Sequence, residues 1–147
     1  MNLKYHEVSL MYFGALLFLI SLIQGLIIPY FTIPRMALSA HQAGIDSGIV
    51  LILIGLIWKH LLLKETLIRI TFYSSIFGMY IVWFAITLSS ILGASNALPL
   101  SGEGVTSSPT NELIVQILIM TGGSLCLVSA LFIFLGLFKK ARSAAAA

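Results

Sequence analysis

The sequence predicts an all-α fold, an integral membrane four-helix antiparallel bundle. Two observations predict it. Of the 147 residues, 59% are hydrophobic and only 9% are charged, which is far from the composition of a soluble globular protein. Four apolar segments are also long enough to be spanning helices, because about 20 residues cross a hydrocarbon core of about 30 Å. Consecutive spans joined by short links run in opposite directions across the membrane.

The four spans are predicted within a single domain of residues 1–142, and their approximate ranges are 10–28, 39–58, 67–92 and 113–138. The first span follows a short charged lead and precedes no small-residue cleavage site, so we expect a retained helix rather than a signal peptide. Pro29 and Pro34 are expected to end the first helix and delay the second, for which Ser39 is the predicted N-cap. Residues 143–147 resemble a tag or linker remnant outside the fold.

Basic residues beside the spans predict the orientation of the chain. Those on one side of the membrane are Lys4, Lys59, Lys64, Arg69, Lys139, Lys140 and Arg142. The other side carries Arg35 alone among basic residues, with Glu103 and Glu112. Because positive residues stay in the cytoplasm, both termini are predicted to be cytoplasmic. The net charge of +3 is explained by these flanking positions, so no nucleic-acid partner is expected.

Polar residues outside and within the spans point to one end of the bundle. Residues 93–112 are too polar to span, and we expect an external loop that covers a site. With a rise of 1.5 Å per residue, His41, Asp46 and Ser47 fall in the outer third of the bilayer. Residues of the other spans at a comparable level are Gln24, Thr87, Ser89, Ser90, Gln116 and Thr121. The inner halves are almost entirely apolar, so this polar layer predicts the site.

One stripe of the second span runs from His41 through Gly44 and Gly48. Two interpretations stay open. The spacing of the glycines permits close approach of another helix, or the glycines leave room for a flat macrocycle whose metal takes His41 as axial ligand. His6 and His60 are predicted to be interfacial residues on the opposite side. One chain therefore offers a single histidine and leaves the other face of a metal open.

Asp46 and Arg35 are the charged residues nearest to this stripe. Asp46 lies about 140 degrees round from His41, toward the bundle interior or a neighbouring subunit. A carboxylate at mid-membrane costs about 2.5–3.5 kcal/mol on insertion scales. Two interpretations of Asp46 therefore stay open. It has a functional role, or it makes a structural hydrogen bond or ion pair with Gln24 or Arg35. Arg35 is either an interfacial anchor or the partner of a cofactor carboxylate.

Two segments carry a resemblance to a known family. Residues 33–41 (IPRMALSAH), followed by Gly44 and Gly48, resemble the signature of the hydroxylaminobenzene mutases, small four-helix membrane proteins related to the styrene oxide isomerases. Residues 78–83 (GMYIVW) are similar to the third-helix segment of that family. The resemblance implies a homotrimer in a prokaryotic plasma membrane, with haem b at the subunit interface. It makes His41 the axial iron ligand. Gly44 and Gly48 on the same stripe, and Arg35 by its charge, are the further candidates for cofactor binding.

The resemblance also implies the reaction. Family members isomerise hydroxylaminobenzene to 2-aminophenol or an aryl epoxide to its aldehyde, and ferric haem b is expected to act as a Lewis acid on such a small aromatic or hydrophobic substrate. Asp46, Ser47 and Tyr80 are the candidate catalytic residues. Ser47 and Val82 stand where the family often carries asparagine. Two other classes are a non-enzymatic haem protein for ligand sensing or electron transfer, and a haem-free structural subunit.

Overall fold

A computed structural model describes residues 3–145 of the chain, and no strand occurs among them. The helices are α1 (Leu3–Leu26), α2 (Pro34–Ile57), α3 (Glu65–Leu92), α4 (Pro99–Gly102) and α5 (Pro109–Ala145). Within this part of the chain, four helices, all except the short α4, are long and apolar enough to cross a membrane. The predicted all-α membrane fold is thereby confirmed, and the orientation of its termini stays a prediction.

The second helix begins earlier than predicted, because Pro34 starts it instead of delaying it. The residue before the helix, Ile33, is extended, and its carbonyl accepts the amide of Ala37 at 3.0 Å. Proline suits the first helical position, where its fixed φ is helical and its missing N–H has no intrahelical role. Ser39 lies inside the helix and its hydroxyl donates back to the Arg35 carbonyl at 3.2 Å. The predicted N-cap at Ser39 is therefore wrong.

The chain turns tightly after α1 and after α2. Ile28–Tyr30 and Trp58–His60 form 3-10 turns after α1 and α2. Gly93 ends α3 with a φ of 68 degrees and donates its amide to the Ser89 carbonyl, a left-handed cap that glycine adopts readily. The predicted linker remnant, residues 143–147, continues α5 as far as Ala145, and its last two residues lie outside the described range.

The long helices pack in the order α1, α2, α3, α5. The extensive contacts are those of α1 with α2, of α2 with α3 and of α3 with α5, and α1 touches α3 only slightly. An apolar core joins the first three helices and includes Leu17, Leu51, Trp58 and Phe72. Since α5 packs along α3, its opposite face is exposed over most of its length.

Glycines allow α1 and α2 to approach each other closely. A Cβ atom added at Gly48 would lie 2.8 Å from the Gly14 carbonyl oxygen and 2.8 Å from the Phe18 amide nitrogen. Both neighbours are backbone atoms, which cannot move aside without displacing α1. Gly44 and Gly55 likewise face α1 at distances that exclude a side chain. The helix-packing interpretation of the Gly44 and Gly48 spacing therefore describes the structure.

We predict that Gly48→Ala destabilises the protein by about 1–3 kcal/mol, the usual range for overpacking in a filled interior. The added methyl group would push α1 away from α2. The measurement is reversible unfolding of the detergent-solubilised protein, followed by circular dichroism. Gly123→Ala on α5 is the matched control, since an added Cβ there has nothing within 4 Å. Equal stability of the two variants would contradict the close packing of α1 and α2.

Candidate functional site

His41 is held against α1 by a hydrogen bond to the backbone. Its Nδ1 lies 2.6 Å from the carbonyl oxygen of Ser21. A carbonyl oxygen can only accept, so Nδ1 carries the proton in this contact. In the neutral imidazole this arrangement leaves the lone pair on Nε2, which makes no hydrogen bond to any residue in the described range. The geometry suits a histidine that presents Nε2 to a metal.

Gly25 supplies the surface on which the imidazole rests. A Cβ atom added at Gly25 would lie 2.7 Å from Cε1, 2.9 Å from Nδ1 and 3.3 Å from Nε2 of His41. Any side chain at this position would therefore displace the ring. Sequence reasoning missed both Gly25 and the Ser21 carbonyl. Depth alone could have indicated Gly25, because it lies at a level of the first helix comparable to that of His41.

A buried polar network lies beside the histidine, between α1 and α3. The indole nitrogen of Trp83 donates to Gln24 Oε1 at 2.8 Å, and Gln24 Nε2 donates to the Thr87 hydroxyl at 3.1 Å. Thr87 in turn donates to the Trp83 carbonyl at 2.9 Å. Gln24 is only 5% exposed, so its amide is satisfied entirely inside the protein. Gln24 and Thr87, two members of the predicted polar layer, are thus brought together, and the depth of the layer stays a prediction.

The fourth span does not join this layer. Gln116 and Thr121 were expected to converge with the other polar residues, but both are exposed on α5. The reason is the packing order, in which α3 separates α5 from α1 and α2. This part of the prediction is wrong.

Gly44 and Gly48 occupy the same stripe as His41, as predicted, but that stripe faces α1. A side chain at Gly44 would meet Ser21 and Trp83, and one at Gly48 would meet Gly14 and Phe18. The space beside both glycines is therefore filled by the chain itself and is not open to a macrocycle. Their predicted role in cofactor binding is replaced by a role in holding α1, which carries the Ser21 carbonyl.

Asp46 is exposed on α2, and among residues 3–145 it makes no hydrogen bond or ion pair. Asp46 was predicted to face either the bundle interior or a neighbouring subunit, and the first of these predictions is wrong. The predicted bond to Gln24 is also absent, since the Gln24 amide bonds to Trp83 and Thr87. Arg35 is exposed at the start of α2 and pairs with no described carboxylate. Ser47 is partly exposed on the same helix.

Tyr80 lies away from His41, in an aromatic cleft between α1 and α3. The cleft has a volume of about 460 Å³ and is lined by Tyr5, His6, Phe13, Phe72, Tyr73, Ile76, Phe77 and Tyr80. The Tyr80 hydroxyl donates to the Phe13 carbonyl at 2.8 Å. The structure therefore does not bring Tyr80 together with His41. His6, predicted to be interfacial, is instead 2% exposed and packs against Trp58 and Phe72.

The connection between α3 and α5, the outer connection by its predicted side of the membrane, is an ordered segment. The buried carboxylate of Glu112 accepts the backbone amides of Ser95 at 3.2 Å, Asn96 at 3.0 Å and Ser107 at 3.0 Å. Within this connection α4 packs on the start of α2, where the hydroxyls of Ser39 and Ser101 lie 3.0 Å apart. Since Ser39 is two residues before His41, the connection covers the end of α2 that carries the histidine.

Fold and site together define a small helical membrane protein with one histidine oriented by the backbone beneath an ordered outer loop. Residues 6–138 match the family model described as "Styrene oxide isomerase". The chain belongs to the styrene oxide isomerase family, and it is an isomerase-type membrane enzyme.

Two curated relatives come from Ectopseudomonas oleovorans. The chain is 34% identical to hydroxylaminobenzene mutase HabA over 109 residues, which cover 74% of this chain and 81% of that protein. It is 33% identical to hydroxylaminobenzene mutase HabB over 124 residues, covering 83% of this chain and 76% of that protein. No solved structure shows a significant match. The predicted family resemblance is thus confirmed over most of the chain.

We predict that Glu112→Ala loosens the outer connection, because three backbone amides lose their shared acceptor and a buried donor without a partner costs about 1–3 kcal/mol. Limited proteolysis of the detergent-solubilised protein is the measurement, with cleavage expected within residues 93–108. Glu103→Ala is the control, since Glu103 is exposed in the same loop. Cleavage of the two variants at the same rate would contradict the anchoring role of Glu112.

Proposed function

We propose that this chain binds haem b through Nε2 of His41 and isomerises a small aromatic or hydrophobic epoxide or hydroxylamine in the plasma membrane of a prokaryote. The hydrogen bond from His41 Nδ1 to the Ser21 carbonyl is the observation that carries the proposal. It orients the imidazole and selects the tautomer in which Nε2 is available to a metal. Membership of the family, together with the two mutase relatives, supports the class of substrate.

The residues around His41 fit a haem with a single protein ligand. Ser21 and Gly25 hold the ring from the α1 side, and the histidine is only partly buried in one chain. The exposed guanidinium of Arg35, about two turns before His41, is proposed to pair with a haem carboxylate near the outer interface. We place the haem in the outer third of the bilayer, between subunits of a homotrimer.

When bound, ferric haem supplies a Lewis acid for the substrate oxygen. The chain itself holds the ligand histidine in one tautomer, and the outer connection limits entry of water above it. Asp46 and Ser47 lie one to two turns beyond His41 on α2 and stay candidates for contact with the substrate. Tyr80 can take part only if its hydroxyl leaves the Phe13 carbonyl.

We predict that His41→Ala abolishes the Soret band of the purified protein, since the only proposed protein ligand is lost. Added imidazole should restore part of the band by occupying the space of the missing ring. His60→Ala is the control, because His60 is an exposed histidine outside the site. A band of equal intensity in His41→Ala and the unchanged protein would contradict the ligand assignment.

Turnover then tests the reaction. We expect the ferric protein to convert styrene oxide or hydroxylaminobenzene without an added reductant, because isomerisation involves no net redox change. A bound haem that leaves both compounds unchanged but is rapidly reduced by a quinol would indicate electron transfer instead. Absence of a Soret band after haem supplementation would favour a haem-free structural subunit.

We further predict that Gly25→Ala weakens haem binding by about 10-fold or more, the usual effect of disturbing a group that orients a metal ligand. The added methyl group would enter the space of the His41 ring. Haem titration followed at the Soret maximum is the measurement. Gly123→Ala, which adds a methyl group in open space on α5, serves as control. Unchanged haem affinity in Gly25→Ala would show that this surface does not position the ligand.

A further inference from the structure

Asp46 is an exposed carboxylic acid near the middle of α2, farther along the helix than predicted because Pro34 and not Ser39 begins it. It lies twelve residues after Pro34, the first residue of α2, and a rise of 1.5 Å per residue places it roughly 18 Å along the helix. No other residue in the described range pairs with it. An aspartate at this depth costs about 2.5–3.5 kcal/mol on insertion scales, and such residues usually face protein rather than lipid. Something outside a single chain must therefore cover it.

Two hydroxyl groups on α5 are also exposed. Thr121 and Ser124 face away from α3, and neither side chain hydrogen bonds to another residue of the described part of the chain. With Met120, Leu125 and Val128 they line a depression of about 370 Å³. A depression with apolar walls and two hydroxyl donors suits a carboxylate that arrives on an apolar helix.

Asp46 on α2 and the exposed hydroxyls on α5 lie at the same depth. Their positions can be compared along α3, because both α2 and α5 pack against it. Gly44 of α2 faces Trp83, and Gly122 of α5 faces the adjacent Val82. Both α2 and α5 begin at the side of the bundle where the outer connection lies and run inward from it. Asp46 and Ser124 each lie two residues inward of those glycines, so roughly 3 Å deeper at a rise of 1.5 Å per residue.

We infer that Asp46 of one copy inserts into the α5 depression of a second copy, where it accepts hydrogen bonds from Thr121 and Ser124. Within one chain α3 separates α2 from α5, so the contact cannot be intramolecular. Copies in one membrane share an orientation and a depth, which brings groups at equal depth together. Symmetric pairing of two α2 helices is disfavoured, because it would place two carboxylates side by side.

The contact joins two different surfaces, so it is head-to-tail, and repetition of such a contact can close into a ring. The contact gives the proposed homotrimer a specific interface, and it gives Asp46 a structural role. It rests on the burial and depth of α2 and α5 and not on haem or on the reaction. Cross-linking reads the contact without haem or substrate, so its outcome can be distinguished from that of the Soret band and of turnover.

Disulfide cross-linking in native membranes tests the contact, in a Cys126→Ser background. Chains with Asp46→Cys are co-expressed with chains carrying Ser124→Cys. Because a disulfide requires Cα atoms within about 7 Å, we expect a cross-linked dimer on mild oxidation. Both substitutions in one chain should give a ladder that ends at the closed ring.

Leu53→Cys paired with Ser124→Cys is the matched control. Leu53 is 52% exposed and lies on the same face of α2 as Asp46, about 10 Å further inward at a rise of 1.5 Å per residue. We expect loss of the dimer for this pair. Equal product from both pairs, no product from either, or cross-linking of Asp46→Cys chains with one another would each overturn the inferred interface.

Discussion

The close contact of α1 with α2 is the constraint on which the site depends. Four glycines on these helices, Gly14, Gly25, Gly44 and Gly48, remove the side chains that would keep the helices apart. The Ser21 carbonyl can reach the His41 imidazole only at this separation. The glycines therefore influence which nitrogen of His41 carries the proton. They let α1 approach α2 closely enough for the Ser21 carbonyl to accept a hydrogen bond from Nδ1. The contact between α1 and α2 therefore determines both how these helices pack and how the His41 ring is oriented.

The membrane explains why polar groups at this level are so completely paired. In a bilayer core no water satisfies a buried donor or acceptor. Gln24 therefore bridges Trp83 and Thr87, joining α1 to α3, while α2 supplies the histidine between them. The outer connection adds a second paired group, the Glu112 carboxylate, above this layer. Asp46 on α2 and the hydroxyls of Thr121 and Ser124 on α5 are exceptions, since none of them bonds to another residue of the described part of the chain.

Much of the fold follows from hydropathy, because a span must be apolar over its whole length. All four spans and the histidine stripe were predictable for that reason. The start of α2 was not, since the helical preference of Pro34 at a first position outweighed the capping preference of Ser39. The position of α5 was not predictable either. Any face of an apolar helix can contact lipid or protein, so the sequence alone did not separate Gln116 and Thr121 from the polar layer.

The protonation of the His41 ring tests the central claim most directly. Nitrogen-15 NMR of the haem-free protein, labelled at the histidine side chains and assigned with a His41→Gln variant, distinguishes the two tautomers and the imidazolium. The hydrogen bond to the Ser21 carbonyl predicts a proton on Nδ1, and presentation of Nε2 to iron requires that Nε2 carry none. A neutral ring with the proton on Nε2 would contradict it, because that nitrogen could not then be presented to iron.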